Sequence, residues 1–311
     1  MARPSNSIYL ILCMLISLCM MGSAWGRSGP LEAIESPFLR VHYEPGLEER
    51  AREVLSAYPA ANAELEAVFG WRVTTPPDVL LTADRAAFER STQSRVIVAF
   101  AVPARNLIVM ECSRGFEKPF SLETILKHEM CHLLLHSRIT EVPLPRWFDE
   151  GVCQWATDGV SEIVMDQRAG LLDQAVLSGR LIPLRHLEGG FPLEEYPLRL
   201  AYEQSKSVVL YIVERYGREA LMGILASMAS GAELEEVIER DFLLTPGRFE
   251  KEWRDDLRAG VSWLSYLSGH LYEILFLLAA LASVYAFVRA WIRKRRYLRE
   301  MPDDPDDLTL H

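Results

Sequence analysis

The five residues His128-Glu129-Met130-Cys131-His132 constrain this chain more than any other stretch. They lie in SLETILKHEMCHLLLH, where Ser121 can cap a helix start and Glu123 occupies the first turn. Ile125, Leu126, Leu133 and Leu134 give that helix a buried side. A four-residue spacing is close to one helical turn, so both imidazoles leave the same face and can grip one metal ion. Glu129 lies between them and can reach a water at that ion as general base. Such a site needs a third ligand. Seventeen residues after His132, in LPRWFDEGVCQWA, come Asp149 and Glu150. Adjacent helix positions point about 100° apart, so only one of the two can serve, and spacing alone leaves both open.

Three motifs in this order resemble the gluzincin-type metallopeptidases of the peptidase MA-like group. Trp147-Phe148-Asp149-Glu150-Gly151 is similar to that group's W-x-x-E-G helix start, with Cys153 where a small residue is common. Ala201-Tyr202-Glu203-Gln204-Ser205, ahead of VVLYIVERYG, resembles its Tyr-x-x-Ser helix. The resemblance spans about residues 38–257. It favours Glu150 over Asp149 as third ligand beside His128 and His132. It implies one Zn²⁺ per chain, Glu129 as general base and Tyr202 as donor to the oxyanion. The reaction it implies is hydrolysis of peptide bonds in a peptide or protein substrate. The fold it implies is α+β and zincin-like: a small mixed sheet plus the HExxH helix, then a mainly helical half. An edge strand beside the cleft, either Val96–Val102 or Leu107–Met110, is expected to pair with substrate backbone. A zincin-fold binding or sensor protein without catalysis is the competing reading, but it predicts loss of Glu129 or of a ligand, and all are present. A closed structural zinc site is disfavoured, because such sites use four protein ligands, often cysteines.

Neighbouring residues carry weaker expectations. Gln154, one turn beyond Glu150, is read either as a hydrogen-bond partner of a ligand histidine or as a surface residue. His136 has rotated about 80° from His128 and is read as a bystander. Cys131 points away from the histidine face. Cys131 and Cys153 lie on the two metal-binding helices and are expected either to bridge or to remain buried thiols.

Both ends of the chain read as membrane segments. Residues 1–26 read as a signal peptide or an uncleaved anchor: Arg3, an apolar run from Ile8 to Met21, then small residues through Gly26. Residues 268–292 read as a single transmembrane helix. Arg293-Lys294-Arg295-Arg296 follows, which by the positive-inside rule places the 293–311 tail in the cytoplasm. Residues 27–260 then form an extracytoplasmic catalytic domain. No N-x-S/T sequon occurs, which points toward a bacterial source and its inner membrane. The net charge of −10 argues against nucleic acid as a partner.

In between, alternation in FLRVHY predicts a strand over Phe38–Tyr43, and Asp78–Thr82 a second. Helices are predicted at about Leu47–Phe69, Ala83–Glu89, Leu122–His136 and Trp147–Thr157. Others follow at Ala201–Tyr216, Arg218–Ser230, Ala232–Asp241 and Pro246–Gly260. Glycine-rich Leu177–Pro192 reads largely as loop, a possible rim or lid over the cleft.

Overall fold

The computed structural model describes residues 30–113, 121–158, 170–260 and 271–300, and the chain divides into two units at Ala259/Gly260. The expected signal segment and the tail beyond residue 300 lie outside the described residues.

The first unit is mixed α and β. Its sheet has five strands: β1 (Glu32–Glu35), β2 (Arg40–Tyr43), β3 (Asp78–Thr82), β4 (Ala99–Val102) and β5 (Leu107–Glu111), in the order β1-β2-β3-β5-β4. The β2–β3 and β3–β5 pairs are parallel, and β1–β2 and β4–β5 are antiparallel. Helix α1 (Glu48–Phe69) makes the β2–β3 crossover. It buries Ala51, Val54, Tyr58, Ala61, Leu65 and Phe69, one face at 3–4-residue spacing, and ends on left-handed Gly70 at φ 68°. Helix α2 (Arg85–Thr92) is capped by Asp84, whose carboxylate accepts from Ala87 N. The β4–β5 hairpin turns through a 3₁₀ turn, Pro103–Arg105, with Asn106 left-handed at φ 51°.

The sheet departs from the sequence reading in three places. The first strand starts at Arg40 because the Ser36 hydroxyl accepts from Phe38 N and Leu39 N, holding those residues in a turn. β1 was not expected: EAIE is mostly exposed, carries no burial alternation, and exists by pairing with β2. β5 pairs on both sides, so Leu107–Met110 is not an edge strand; β4 is.

Helix α3 (Leu122–Arg138) packs against α1, β4 and α4 (Arg146–Ala156). The Ser121 hydroxyl accepts from Thr124 N at 3.2 Å, as a cap should. After α5 (Leu171–Leu177) and a 3₁₀ turn (Leu184–Leu187) comes α6 (Glu195–Tyr216), the main partner of α4. α6 begins six residues before the expected Ala201. Pro197 sits in its first turn, where a missing N–H costs nothing, so this proline starts the helix. Gly151 of α4 allows the close approach of α6: a Cβ there would lie 2.3 Å from Ser205 O and 2.6 Å from Val209 Cγ2.

Helices α7 (Arg218–Ala229), α8 (Leu234–Phe242) and α9 (Pro246–Gly260) complete the unit. Tyr216 stacks on Phe242 at 4.0 Å between ring centroids, Phe249 meets Tyr211, and Trp253 donates its indole N–H to Ser207 Oγ. The 177–192 segment is tied down at several points. Gln204 accepts from Ile182 N and donates to Ile182 O, and Glu250 accepts from Leu184 N.

The second unit is α10 (Leu271–Glu300). Its Ile274–Arg296 stretch is long and apolar enough to cross a bilayer, by length and composition.

Candidate metal centre

Successive turns of α3 bring His128 and His132 onto one face, and α4 brings Glu150 to meet them. The two Nε2 atoms are 3.2 Å apart, and Glu150 Oε2 lies 3.5 Å from His128 Nε2 and 3.6 Å from His132 Nε2. A tetrahedral ion with bonds of about 2.0–2.1 Å separates its ligand atoms by roughly 3.3 Å, so this triangle has the size one zinc ion requires. All three residues are buried, as is Glu129.

Hydrogen bonds on the far side of each ring set the tautomers. Thr157 spends its hydroxyl proton on Cys153 O at 2.8 Å, leaving its oxygen to accept from His128 Nδ1 at 3.4 Å. His132 Nδ1 donates to Asp149 Oδ1 at 2.8 Å. With a proton held on each Nδ1, loss of any proton from Nε2 leaves both Nε2 lone pairs for the space between them and Glu150 Oε2, a donor set that fits a divalent ion.

Asp149 and Glu150 take different places: His128, His132 and Glu150 form one group of converging donors, and His132, Asp149 and Cys153 form another. Glu150 faces both Nε2 atoms, while Asp149, one position round the helix, lies behind His132. His136 lies outside the donor triangle, as its rotation implies, but its Nε2 is 3.1 Å from Asp149 Oδ2. Arg146 forms ion pairs with Asp149 Oδ2 at 3.6 Å and with Glu150 Oε1. The signal for Arg146 was present in its i, i+3 and i, i+4 relation to the two acids, and for Asp149 in its place immediately before Glu150.

Charge follows this arrangement. Burial opposes ionisation of Asp149, but His132 and His136 outweigh it and hold the carboxyl well below its ordinary range. Burial likewise opposes a charge on Glu150; Arg146 and then His132 bring its pKa down. His132 is raised well above 6.5: burial works against its charge, and Asp149 with Glu150 overcomes it. Cys153 Sγ is 3.5 Å from His132 Nδ1, and burial followed by the Cys131 thiol pushes its own pKa up, which keeps it a neutral thiol. Cys112, Cys131 and Cys153 are buried and free, so the two helices are not bridged.

Gln154 is fully buried and donates to Tyr202 O at 3.1 Å; it neither bonds a ligand histidine nor lies at the surface. Tyr202 is itself buried, in a cluster with Val96, Leu198, Ile97 and Phe191, its ring edge-to-face with Phe191 at 5.0 Å.

A family model for the peptidase MA superfamily matches residues 93–259, more than half of the 311-residue chain. The chain belongs to the peptidase MA superfamily. No match was found among curated proteins. The superfamily match runs from just before β4 into α9, so it takes in the edge strand, both metal-site helices and α6. It leaves out β1, α1, β2 and β3. Within this zincin-like superfamily fold, the site lies where α3 and α4 meet, and α3 also packs against β4.

Proposed function

We propose that this protein is a membrane-anchored, zinc-dependent peptidase, with His128, His132 and Glu150 holding one Zn²⁺. The observation that carries the reading is the convergence of His128 Nε2, His132 Nε2 and Glu150 Oε2 within 3.2–3.6 Å beside a buried Glu129. When bound, zinc would supply a Lewis acid for a water and for the scissile carbonyl. Glu129 accepts the proton of the attacking water and returns it to the leaving amine. Tyr202 donates its hydroxyl hydrogen to the carbonyl oxygen as negative charge develops there. β4, the outermost strand beside α3, offers its free edge to an extended peptide, which orients the scissile bond.

The domain plan follows the same reading. Residues 1–26 direct export, 27–260 form an extracytoplasmic catalytic domain, 268–292 cross the bilayer, and 293–311 remain in the cytoplasm of a bacterial cell. The exposed apolar face of α10 and the Arg293-Lys294-Arg295-Arg296 run support anchoring and its direction.

The test is Glu129→Gln in the full chain, assayed on a mixture of denatured proteins and by elemental analysis. About one zinc per chain in both forms, with hydrolysis falling roughly 10²–10⁴-fold in the variant, is the expected result. A folded wild-type chain that takes up no zinc would overturn the reading.

A further inference from the structure

Glu150 presents its two oxygens to different partners. Oε2 faces the two histidine nitrogens at 3.5 and 3.6 Å, while Oε1 meets Arg146 Nη2. A carboxylate at a metal can bind through one oxygen or both, and the choice sets how many ligands surround the ion. Building on the zinc site proposed above, we infer that Arg146 is a positioning residue that holds Glu150 as a one-oxygen ligand and so keeps the metal four-coordinate.

Four contacts determine where the guanidinium can sit. The Arg146 main-chain N donates to Glu188 O at 2.8 Å, which fixes the first residue of α4 against the segment that follows the 3₁₀ turn Leu184–Leu187. The guanidinium carbon lies 5.8 Å from the Phe191 ring centroid. Nη1 is 3.6 Å from Asp149 Oδ2, and Nη2 reaches Glu150 Oε1. One planar fork therefore spans two adjacent buried carboxylates, of which one orients His132 and the other completes the metal triangle. Without it, two carboxylates at neighbouring positions of one helix would lie buried with only the histidines to offset their charge. A lysine offers a point charge but no fork, so it can offset charge without holding Oε1 in place.

The experiment is cobalt substitution of the metal-stripped full chain in detergent micelles, for wild type, Arg146→Gln and Arg146→Lys. Zinc affinity is measured by competition with a chelator, and folding is checked by circular dichroism. Wild type should give the intense visible bands of four-coordinate cobalt. Both variants should give the weaker bands of five-coordinate cobalt, as Oε1 turns onto the ion. Zinc should bind about 10–100-fold less tightly in Arg146→Gln, with Arg146→Lys nearer wild type. A side chain that only supported the fold would change the melting temperature without changing the cobalt spectrum. If Arg146→Gln does not fold, the Arg146→Lys spectrum decides. Identical four-coordinate spectra in wild type and the folded variants would overturn this inference and leave the zinc site standing, as would a five-coordinate wild type. A wild type that takes up neither zinc nor cobalt would overturn the zinc reading itself.

Discussion

Gly151→Ala tests the packing that holds Glu150, the proposed third ligand, in place. The new Cβ would lie 2.3 Å from Ser205 O, 2.6 Å from Val209 Cγ2 and 2.8 Å from Ser205 C, where ordinary contact starts at 3.4 Å. Two of those atoms are main chain of α6, and the valine has little rotamer freedom in a helix. The two helices must therefore part by about 1 Å. Overpacking of this kind costs up to about 3 kcal/mol, and Ala over Gly in a helix interior returns about 1. The net loss is then up to about 2 kcal/mol, equivalent to a melting temperature lower by up to about 4–8 °C in a domain of this size. Gly223 in α7 is the control: a Cβ there meets nothing within 4 Å, so Gly223→Ala should stabilise by up to about 1 kcal/mol. Both variants would be melted in chelator, followed by circular dichroism, so that metal binding does not mask the change. If Gly151→Ala melted at or above wild type, the close approach of α4 and α6 would be wrong.

Other outcomes follow from the site's surroundings. Asp149→Asn should retain the fold but bind zinc about 10–100-fold more weakly, read by chelator competition, because His132 loses the carboxylate that orients it. Zinc uptake at pH 7 should release protons into a weakly buffered solution, since the raised His132 must give up its proton first. In metal-stripped protein, Asp149 contributes stability above its ordinary pKa of 3.8 and loses it as pH falls through its lowered value. His132 contributes below 6.5 and loses its share as pH rises through its raised value. Urea midpoints should therefore show this pair's contribution between about pH 4 and 6.5, and Asp149→Asn should flatten the profile there. Deleting residues 271–300 should move the protein from the membrane pellet to the supernatant, as judged by immunoblot.

The elements that frame the site were legible in the sequence because local rules and tertiary demands agree there. Ser121, the His128/His132 spacing and the buried leucines of α3 all ask for one helix, and Gly70 ends α1 where its left-handed preference says it should. β1 was not legible, since EAIE has no pattern of its own. The start of α6 was missed because Pro197 reads as a breaker unless it is recognised as a first-turn residue. The three donor atoms followed from i, i+4 geometry and the W-x-x-E-G resemblance. The partners behind them did not: His136 was dismissed on rotation about its own helix axis, yet Asp149 reaches it from α4. Single-helix geometry says nothing of what a facing helix brings.

The Gly151–Ser205 contact, together with the Gln154–Tyr202 bond, makes α4 and α6 a single lever. Glu150 rides on that lever, and His128 and His132 ride on α3. Any hinge that widened the cleft between α3 and the lever would pull Glu150 away from the histidines. Opening and metal retention would then be opposed: an ion held in the proposed triangle would act as a latch between α3 and the lever.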